Sequence, residues 1–277
     1  VGRYFQDHLG GRIAYIHPRN ARAFYDIFCN MVHRGNKFQP KVRLTNDVLE
    51  NEPLLNCQGQ ISFESSIREN LVFLKQFVKA ALYRRKIGSL GEFVRNGFAC
   101  ARHMIPLMWK FVVEHRILIP SGSRITLFIQ AETEPLRDSR ILIDGSVRDS
   151  AGLPKVRLDW RLGQHELGSI FEFAHRIDRV LKDAGLADLQ LEPELAAADP
   201  RFLDSLRDTN HQAGGCVMGE SAADGVVDRD LKVFGTDNLF IAGACVFKTC
   251  SNANTTFTAM AFATRLAKHL GKGHATN

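Results

Sequence analysis

The sequence predicts an α+β protein in which an antiparallel sheet is backed by helices. Two patterns predict it: runs in which apolar and polar residues alternate, as in half-buried strands, and longer runs with apolar residues three and four apart, as in amphipathic helices. Composition agrees, because 45% of the 277 residues are hydrophobic and 24% are charged. That balance is typical of globular proteins, and the length allows one large domain or two ordinary ones.

The first helical pattern lies in a basic segment that follows the stretch SFESS. Six apolar residues there recur at helical spacing: Ile67, Leu71, Leu74, Phe77, Val78 and Ala81. They predict a helix whose other face is basic and solvated, with contact to a membrane or a partner as the alternative. The apolar stretch FACARHMIPLMWKFVVEHRILIP follows, and we expect Pro106 to break it. We therefore expect a helix-rich insert around residues 65 to 120.

From Arg124 the pattern changes to period two. The stretches RITLFIQAE and SRILID predict strands, and KVRLDWRL predicts a third. In KVRLDWRL four apolar residues alternate strictly with charged ones: Val156, Leu158, Trp160 and Leu162. The turn signals DGS and SAGLP between the last two runs predict a hairpin. Together these runs form the predicted half-buried antiparallel sheet.

The stretch GQHELGSIFEFAHRIDRVLKDAG predicts a long amphipathic helix with Gly185 as its C-terminal cap. Its predicted apolar face consists of Leu167, Ile170, Phe171, Ala174, Ile177, Val180, Leu181 and Ala184. We interpret His165 and His175 on this helix as structural. Glycine-rich turns and short apolar runs follow an acidic loop, which places a domain boundary near residue 200.

The last third of the chain predicts a strand, a loop and a helix. The stretch NLFIAGACVF, residues 238–247, reads as an apolar strand that runs into Gly243 and Ala244. The stretch TTFTAMAFATRLAKHL predicts a helix that opens after Asn254. Such a unit offers unpaired N–H groups and a positive dipole end to an anionic or electron-rich ligand. Many α/β proteins contain it without using it, so both interpretations stay open here.

The stretch TNHQAGGCVMGE, residues 209–220, sets His211 three residues ahead of a glycine pair. Taken alone, it favours an ordinary histidine at a glycine turn over a catalytic base. The order and spacing of the tail motifs, however, resemble the carboxy-terminal part of the glucose-methanol-choline (GMC) family of FAD-dependent oxidoreductases. The matching residues are His211, Gly214, Met218, Gly219, Val226, Val227, Asp228, Leu231, Val233, Gly235, Asn238, Leu239, Gly243 and Asn254. The opening GRYFQDH, Gly2 to His8, resembles the family's segment between flavin and substrate domains.

The resemblance implies FAD as cofactor and the oxidation of an alcohol, on a sugar or polyol, to a carbonyl by hydride transfer to flavin N5. It makes His211 the base and Asn254 the group that orients the substrate oxygen. The residues that it places at the cofactor are Gly243, Ala244, Asn254, Thr255 and Thr256. It also divides the chain into a crossover segment (1–10), a substrate domain (11–200) and the closing strand-helix part of an FAD-binding α/β domain (201–277).

The family holds the ADP moiety of FAD on a G-x-G-x-x-G turn, and no stretch of this sequence has that spacing after a strand. We therefore expect the chain to be the later part of a longer enzyme and to bind FAD weakly or not at all without the amino-terminal FAD-binding half, its expected partner. Its other partners would be the alcohol or sugar substrate and an electron acceptor: oxygen, a quinone or a cytochrome. Two alternatives remain: a non-oxidising lyase relative that keeps the flavin, and a cofactor-free partner module.

Other classes of function have little support in the sequence. The net charge of +6 is too small to decide on an anionic partner, and no zinc-finger, RRM, KH or helix-turn-helix signature indicates nucleic-acid binding. The ten histidines show no HExxH spacing, so we expect no metal site. The six cysteines include no CxxC pair and are predicted to be free, buried thiols. The sequence contains no run of about 18 apolar residues, which is the length needed to span a bilayer.

Overall fold

The computed structural model of the chain describes residues 1–64, 72, 76, 79, 89–120 and 122–274. The strands are β1 (Arg3–Gln6), β2 (Leu9–Pro18), β3 (Met31–His33), β4 (Asn36–Phe38), β5 (Lys41–Arg43), β6 (Cys57–Glu64), β7 (Arg124–Ala131), β8 (Arg140–Arg148), β9 (Pro154–Asp159), β10 (Ala187–Leu191), β11 (Arg207–Asp208) and β12 (Ala213–Gly215). The helices are α1 (Ala21–Phe28), α2 (Asn46–Asn51), α3 (Leu90–Val112), α4 (Gln164–Asp183), α5 (Pro193–Ala196) and α6 (Thr256–His274). Because every strand pairing between them is antiparallel, the predicted α+β class is confirmed.

The larger sheet has the order β10-β2-β7-β6-β5, with β11 added beside β2. Helix α4 packs against it, and Ile170, Phe173 and Ala174 are fully buried there. The predicted amphipathic helix is thus confirmed, and Gly185 follows it with a positive φ of 64°. Val180 was wrongly assigned to the buried face: it is 62% exposed, because the buried stripe runs through Phe173 instead.

The second sheet, β12-β1-β8-β9, joins the start of the chain to the segment after His211. The hairpin β8–β9 forms as predicted, and its turn is SAGLP, where Asp149 accepts hydrogen bonds from the amides of Ala151 and Leu153. The predicted turn at DGS is wrong, because Asp144 to Ser146 lie within β8.

The predicted half-buried face of this hairpin is also partly wrong. Val156 and Leu158 are 69% and 50% exposed, so the described residues leave that part of the face uncovered. Trp160 and Leu162, beyond the end of β9, do pack against the main core. Alternation therefore predicted the strand correctly but not what would lie on top of it.

The tail after residue 215 has a small core of its own, formed by Val227, Leu231 and Val246. The predicted strand over residues 238–247 is wrong: its pairing is limited to an isolated bridge between Lys232 and Phe240, followed by a 3-10 turn, Ala244–Val246. No described strand forms a ladder with this run, and Gly243 has a φ of 153°, which residues with a side chain rarely adopt. The helix predicted after Asn254 is confirmed as α6.

The break expected at Pro106 is wrong, because residues 98–112 of that apolar stretch lie within the single helix α3, with the proline inside it. The helix predicted over Ile67 to Ala81 lies outside the described residues, apart from isolated positions. Among the helices that the structure describes, none has a stretch long and apolar enough to cross a bilayer.

Gly214 lies in β12, which pairs with β1, so a substitution there tests how the two ends of the chain pack together. Its φ is 77°, and a β-carbon there would lie 1.9 Å from the carbonyl oxygen of Tyr4. We expect Gly214→Ala to lower the free energy of unfolding by more than about 2 kcal/mol, through backbone strain and the clash. Urea unfolding measures this change. Gly168→Ala, in α4 with open space around it, is the control and should stabilise by about 0.5–1 kcal/mol; equal effects of the two variants would contradict the packing described.

Candidate active site

Three consecutive polar residues, Gln6, Asp7 and His8, are buried where the chain passes from β1 to β2. They are only 0%, 1% and 0% exposed. Burying polar groups costs free energy unless hydrogen bonds satisfy them. All three side chains are satisfied, and much of their bonding reaches residues more than 200 positions away.

Gln6 and Asp7 tie the tail to the first strands. The Gln6 side chain donates to the carbonyl oxygen of Lys248 at 2.9 Å and accepts from the amide of Cys250 at 3.1 Å. Asp7 Oδ1 accepts from the amide of His8 at 2.7 Å and from that of His211 at 3.0 Å. These bonds fix the backbone on both sides of the site.

His8 and His211 lie side by side. Their Nδ1 atoms are 3.2 Å apart, and Nδ1 of His211 is also 2.8 Å from Thr209 Oγ1. The other ring nitrogen of His8, Nε2, is 3.1 Å from the carbonyl oxygen of Cys250. Burial lowers the pKa of His8 below its usual range, and the neighbouring His211 lowers it further.

Gln130, from β7, links the histidines to Asn254. Its Nε2 lies 2.8 Å from His8 Nδ1, 3.2 Å from the carbonyl oxygen of Asn252 and 3.4 Å from Asn254 Oδ1. The two residues that the sequence predicted as catalytic, His211 and Asn254, are therefore brought into one hydrogen-bonded chain. His211 is half-buried and Asn254 is exposed, so both can be reached from solvent.

Two loops form part of the site, one just before His211 and one around Ser251, and each contains a non-glycine residue with positive φ. Asn210, just before His211, has a φ of 59°, and Ser251 has a φ of 52°. Such conformations cost free energy and persist where their surroundings impose them. Asp7 holds the first loop, and Glu132 holds the second by accepting from the amide of Ser251 at 2.9 Å. Burial raises the pKa of Glu132, although its bonds to backbone amides oppose that effect.

A cavity of about 450 Å³ opens on the face of the larger sheet next to this cluster. Thr209 and Gln130 line it and connect it with the histidines. The other residues that line the cavity are Gly10, Gly11, Arg12, Lys41, Gln58, Gln60, Phe128, Ile129, Ser205, Arg207 and Asp208. The cavity thus offers amide, hydroxyl and charged groups, with the half-exposed ring of Phe128 as its aromatic surface.

The predicted cofactor residues lie at the start of α6 and at the 3-10 turn packed on it. Ala259 donates the first backbone bond of the helix, to the carbonyl oxygen of Thr255, so the amides of residues 256–258 are free of helical partners. Thr255 is buried and Thr256 is exposed. Gly243, which precedes the turn at Ala244, has a φ that only glycine adopts without strain, and a β-carbon there would meet only a sulfur atom, at 3.6 Å. These free N–H groups and this open backbone fit an electron-rich or anionic group such as a flavin.

The sequence did not reveal the roles of Asp7, His8 and Gln130. The motif that contains the first two was noticed only for its resemblance, and the third was counted as an ordinary position of a strand. The available signal was a run of polar residues between two apolar strands, since such a run is buried only where it has partners. Its partners are distant in sequence and could not be assigned.

The sequence also led to expectations about the cysteines and about metal binding. The cysteines at positions 29, 57, 216, 245 and 250 are free thiols, as predicted, but Cys216 and Cys245 are only partly buried. Burial raises the pKa of Cys250 to about 12, so this thiol stays protonated beside the site. Within the described ranges, no group of three or more His, Cys, Asp or Glu side chains is arranged to hold a metal ion.

Residues 135–263 match a family model described as GMC oxidoreductase, and the match includes His211, Gly243 and Asn254. Curated relatives are the fructose dehydrogenase large subunit of Gluconobacter japonicus (23% identical over 52% of this chain and 24% of the relative) and the C-glycoside 3-oxidase of Arthrobacter globiformis (29%, over 54% and 28%). A third is the 2-methyl-1,2-propanediol dehydrogenase of Mycolicibacterium austroafricanum (26%, over 59% and 27%). This stretch of the chain therefore matches the carboxy-terminal domain of GMC oxidoreductases.

Solved structures similar to this chain include pyridoxine 4-oxidase from Mesorbium loti, at 16% identity and a TM-score of 0.49, over 97% of this chain and 43% of that one. A formate oxidase variant from Aspergillus oryzae is similar at 15% identity and a TM-score of 0.49, over 99% and 48%. The aligned region spans about a quarter of the length of the curated relatives.

The lowered pKa of His8 predicts how stability depends on pH. In the folded protein His8 loses its proton below the ordinary value of 6.5, so the unfolded chain binds more protons between the two pKa values. The free energy of unfolding should therefore fall as pH is lowered through 6.5, with His8 contributing at most about 1.4 kcal/mol per pH unit.

The measurement is urea unfolding at several pH values, with His8→Gln as the variant that cannot titrate. Its pH dependence should be shallower than that of the unchanged protein. Gly168→Ala, which removes no titratable group from α4, should leave the slope unchanged. A slope for His8→Gln that equals the original one would show that His8 is not held neutral by its surroundings.

Proposed function

We propose that the chain supplies the proton-accepting base and the substrate cavity of an FAD-dependent oxidoreductase that converts an alcohol, on a sugar or polyol, to a carbonyl. One observation carries the proposal: His211 and Asn254 belong to one hydrogen-bonded chain beside a polar cavity. The match of residues 135–263 to the family model supports it, and so do relatives whose names include a fructose dehydrogenase and a C-glycoside oxidase.

His211 is proposed to take the hydroxyl proton of the substrate. It is half-buried, and the bond from its amide to Asp7 holds its backbone in place. Asn254, on the other side of Gln130, is proposed to hold the substrate oxygen through its amide group as negative charge develops there. Bound FAD would supply the hydride acceptor.

The cavity beside this pair suits a polyhydroxylated molecule. Gln58, Gln60 and Gln130 line it with amides that can donate to and accept from hydroxyl groups. Phe128 is 42% exposed and gives the C–H face of a sugar ring an apolar surface. The size of about 450 Å³ is within the range of small-molecule sites.

The residues proposed to hold the flavin are Gly243, Ala244, Asn254, Thr255 and Thr256. The free amides after Thr255 supply hydrogen-bond donors with the positive end of the α6 dipole behind them. The amino-terminal FAD-binding half of the family is the proposed partner for the rest of the cofactor.

We also propose the division into residues 1–10, 11–200 and 201–277. In support, the main core is built almost entirely within the middle range, and Val227, Leu231 and Val246 form a separate small core. Leu9, Phe202 and Leu206 belong to the main core as well, so the functional boundaries are not sharp limits of packing.

The test uses the flavin-containing enzyme and follows flavin absorbance after anaerobic addition of a panel of alcohols and sugars. We expect one substrate class to bleach the flavin and His211→Ala to slow bleaching by about 100- to 10,000-fold, because a general base contributes that much. Asn254→Ala should slow it less. His17→Ala, an exposed histidine near the end of β2 opposite His8 whose ring bonds to the Gln190 side chain, is the control and should leave the rate unchanged.

Unchanged bleaching in His211→Ala would overturn the assignment of the base. A bound flavin that no substrate reduces, in a protein that still transforms an alcohol without oxidation, would favour a lyase. A folded protein without flavin bands would favour a cofactor-free partner module.

A further inference from the structure

The contact between His8 and His211 joins two like atoms. The Nδ1 atoms are 3.2 Å apart, and the ring centroids are 5.1 Å apart at an angle of 58°. A neutral imidazole carries a proton on one nitrogen and a lone pair on the other. Two facing lone pairs would repel each other, so one of the two Nδ1 atoms must carry a proton toward its neighbour.

The partners of His8 decide which nitrogen of its ring is protonated. Its Nε2 faces the carbonyl oxygen of Cys250 at 3.1 Å, and a carbonyl oxygen can only accept. Its Nδ1 faces Gln130 Nε2 at 2.8 Å, and that amide nitrogen also faces the carbonyl oxygen of Asn252, which fixes its orientation. His8 therefore has its proton on Nε2 and presents a lone pair at Nδ1.

His211 must then present a proton to His8. A proton on His211 Nδ1 lies between two acceptors, the Nδ1 of His8 at 3.2 Å and the Thr209 hydroxyl at 2.8 Å. Thr209 alone would not decide, because a hydroxyl both donates and accepts. With Nδ1 protonated, His211 carries its lone pair on Nε2.

We propose that His8 is a positioning residue that fixes His211 in the Nδ1–H tautomer, so that Nε2 of His211 is the nitrogen that accepts a proton. The catalytic meaning of this tautomer rests on the proposed function. The substrate hydroxyl proton would pass to Nε2, while Nδ1–H keeps donating to His8 and Thr209. The ring thus keeps its orientation in both protonation states.

The tautomer is measured directly by long-range ¹H–¹⁵N NMR of the ¹⁵N-labelled chain at pH 7.5, without flavin or substrate. Comparison with His211→Asn assigns the ring signals of His211. We expect an NH-type shift for Nδ1 and an unprotonated-type shift for Nε2. The reverse pattern would overturn the proposal.

Two variants separate His8 from Thr209. In His8→Phe the Thr209 hydroxyl is free to donate to His211 Nδ1, so both tautomers become populated and the two ¹⁵N shifts move toward each other. In Thr209→Val the acceptor on His8 remains, so the shifts stay as in the unchanged protein. A His8→Phe protein that folds and keeps the original shifts, or a Thr209→Val protein that takes the reverse pattern, would show that His8 does not fix the tautomer.

If His8→Phe does not fold, as the amide spectrum would reveal, the unchanged protein and Thr209→Val still decide. The outcome is independent of the test of the base by flavin bleaching. If NMR shows the reverse tautomer while His211→Ala still slows flavin bleaching, only the role of His8 is refuted. If NMR shows the expected tautomer while His211→Ala bleaches the flavin at the unchanged rate, only the proposed function is refuted.

Discussion

The structure depends on the buried hydrogen bonds that the segment Gln6–Asp7–His8 makes with the distant tail. Gln6 binds the backbone at residues 248 and 250, and Asp7 binds the amide of His211. A buried polar side chain without partners costs free energy, so these residues stabilise only an arrangement in which the tail is docked. The same bonds that join the two ends of the chain therefore position the candidate site.

This constraint explains why the site lies where two sheets meet. Strand β1 belongs to one sheet and β2 to the other, and the polar segment is the link between them. The larger sheet contributes Gln130 and the cavity, whereas the tail contributes His211 and Asn254. The strained backbone at Asn210 and Ser251 is stabilised by two hydrogen bonds: Asp7 accepts from the amide of His211, and Glu132 accepts from the amide of Ser251.

Sequence patterns predicted local structure well and long-range structure poorly. The periodicity of α4 and the alternation of β7 and β9 identified those elements, since each pattern reflects a geometry only a few residues long. Helix α6 was identified from its run of small and apolar residues. The prediction of a strand over residues 238–247 was wrong because an apolar run cannot show whether another strand will lie beside it. The predicted burial of Val156 was wrong because alternation does not show what covers a face of the sheet. The resemblance to a family suggested His211 and Asn254, but no pattern indicated that His8 and Gln130 connect them.

The central claim, that the polar segment holds the site together, is tested most directly by native-state hydrogen exchange of the amides of His211 and Cys250. Both amides donate to buried side chains, Asp7 and Gln6. The account predicts that they exchange only through opening reactions nearly as costly as global unfolding, like the amides in the centre of β2. Exchange at the rate of a freely fluctuating loop, while β2 stays protected, would contradict it.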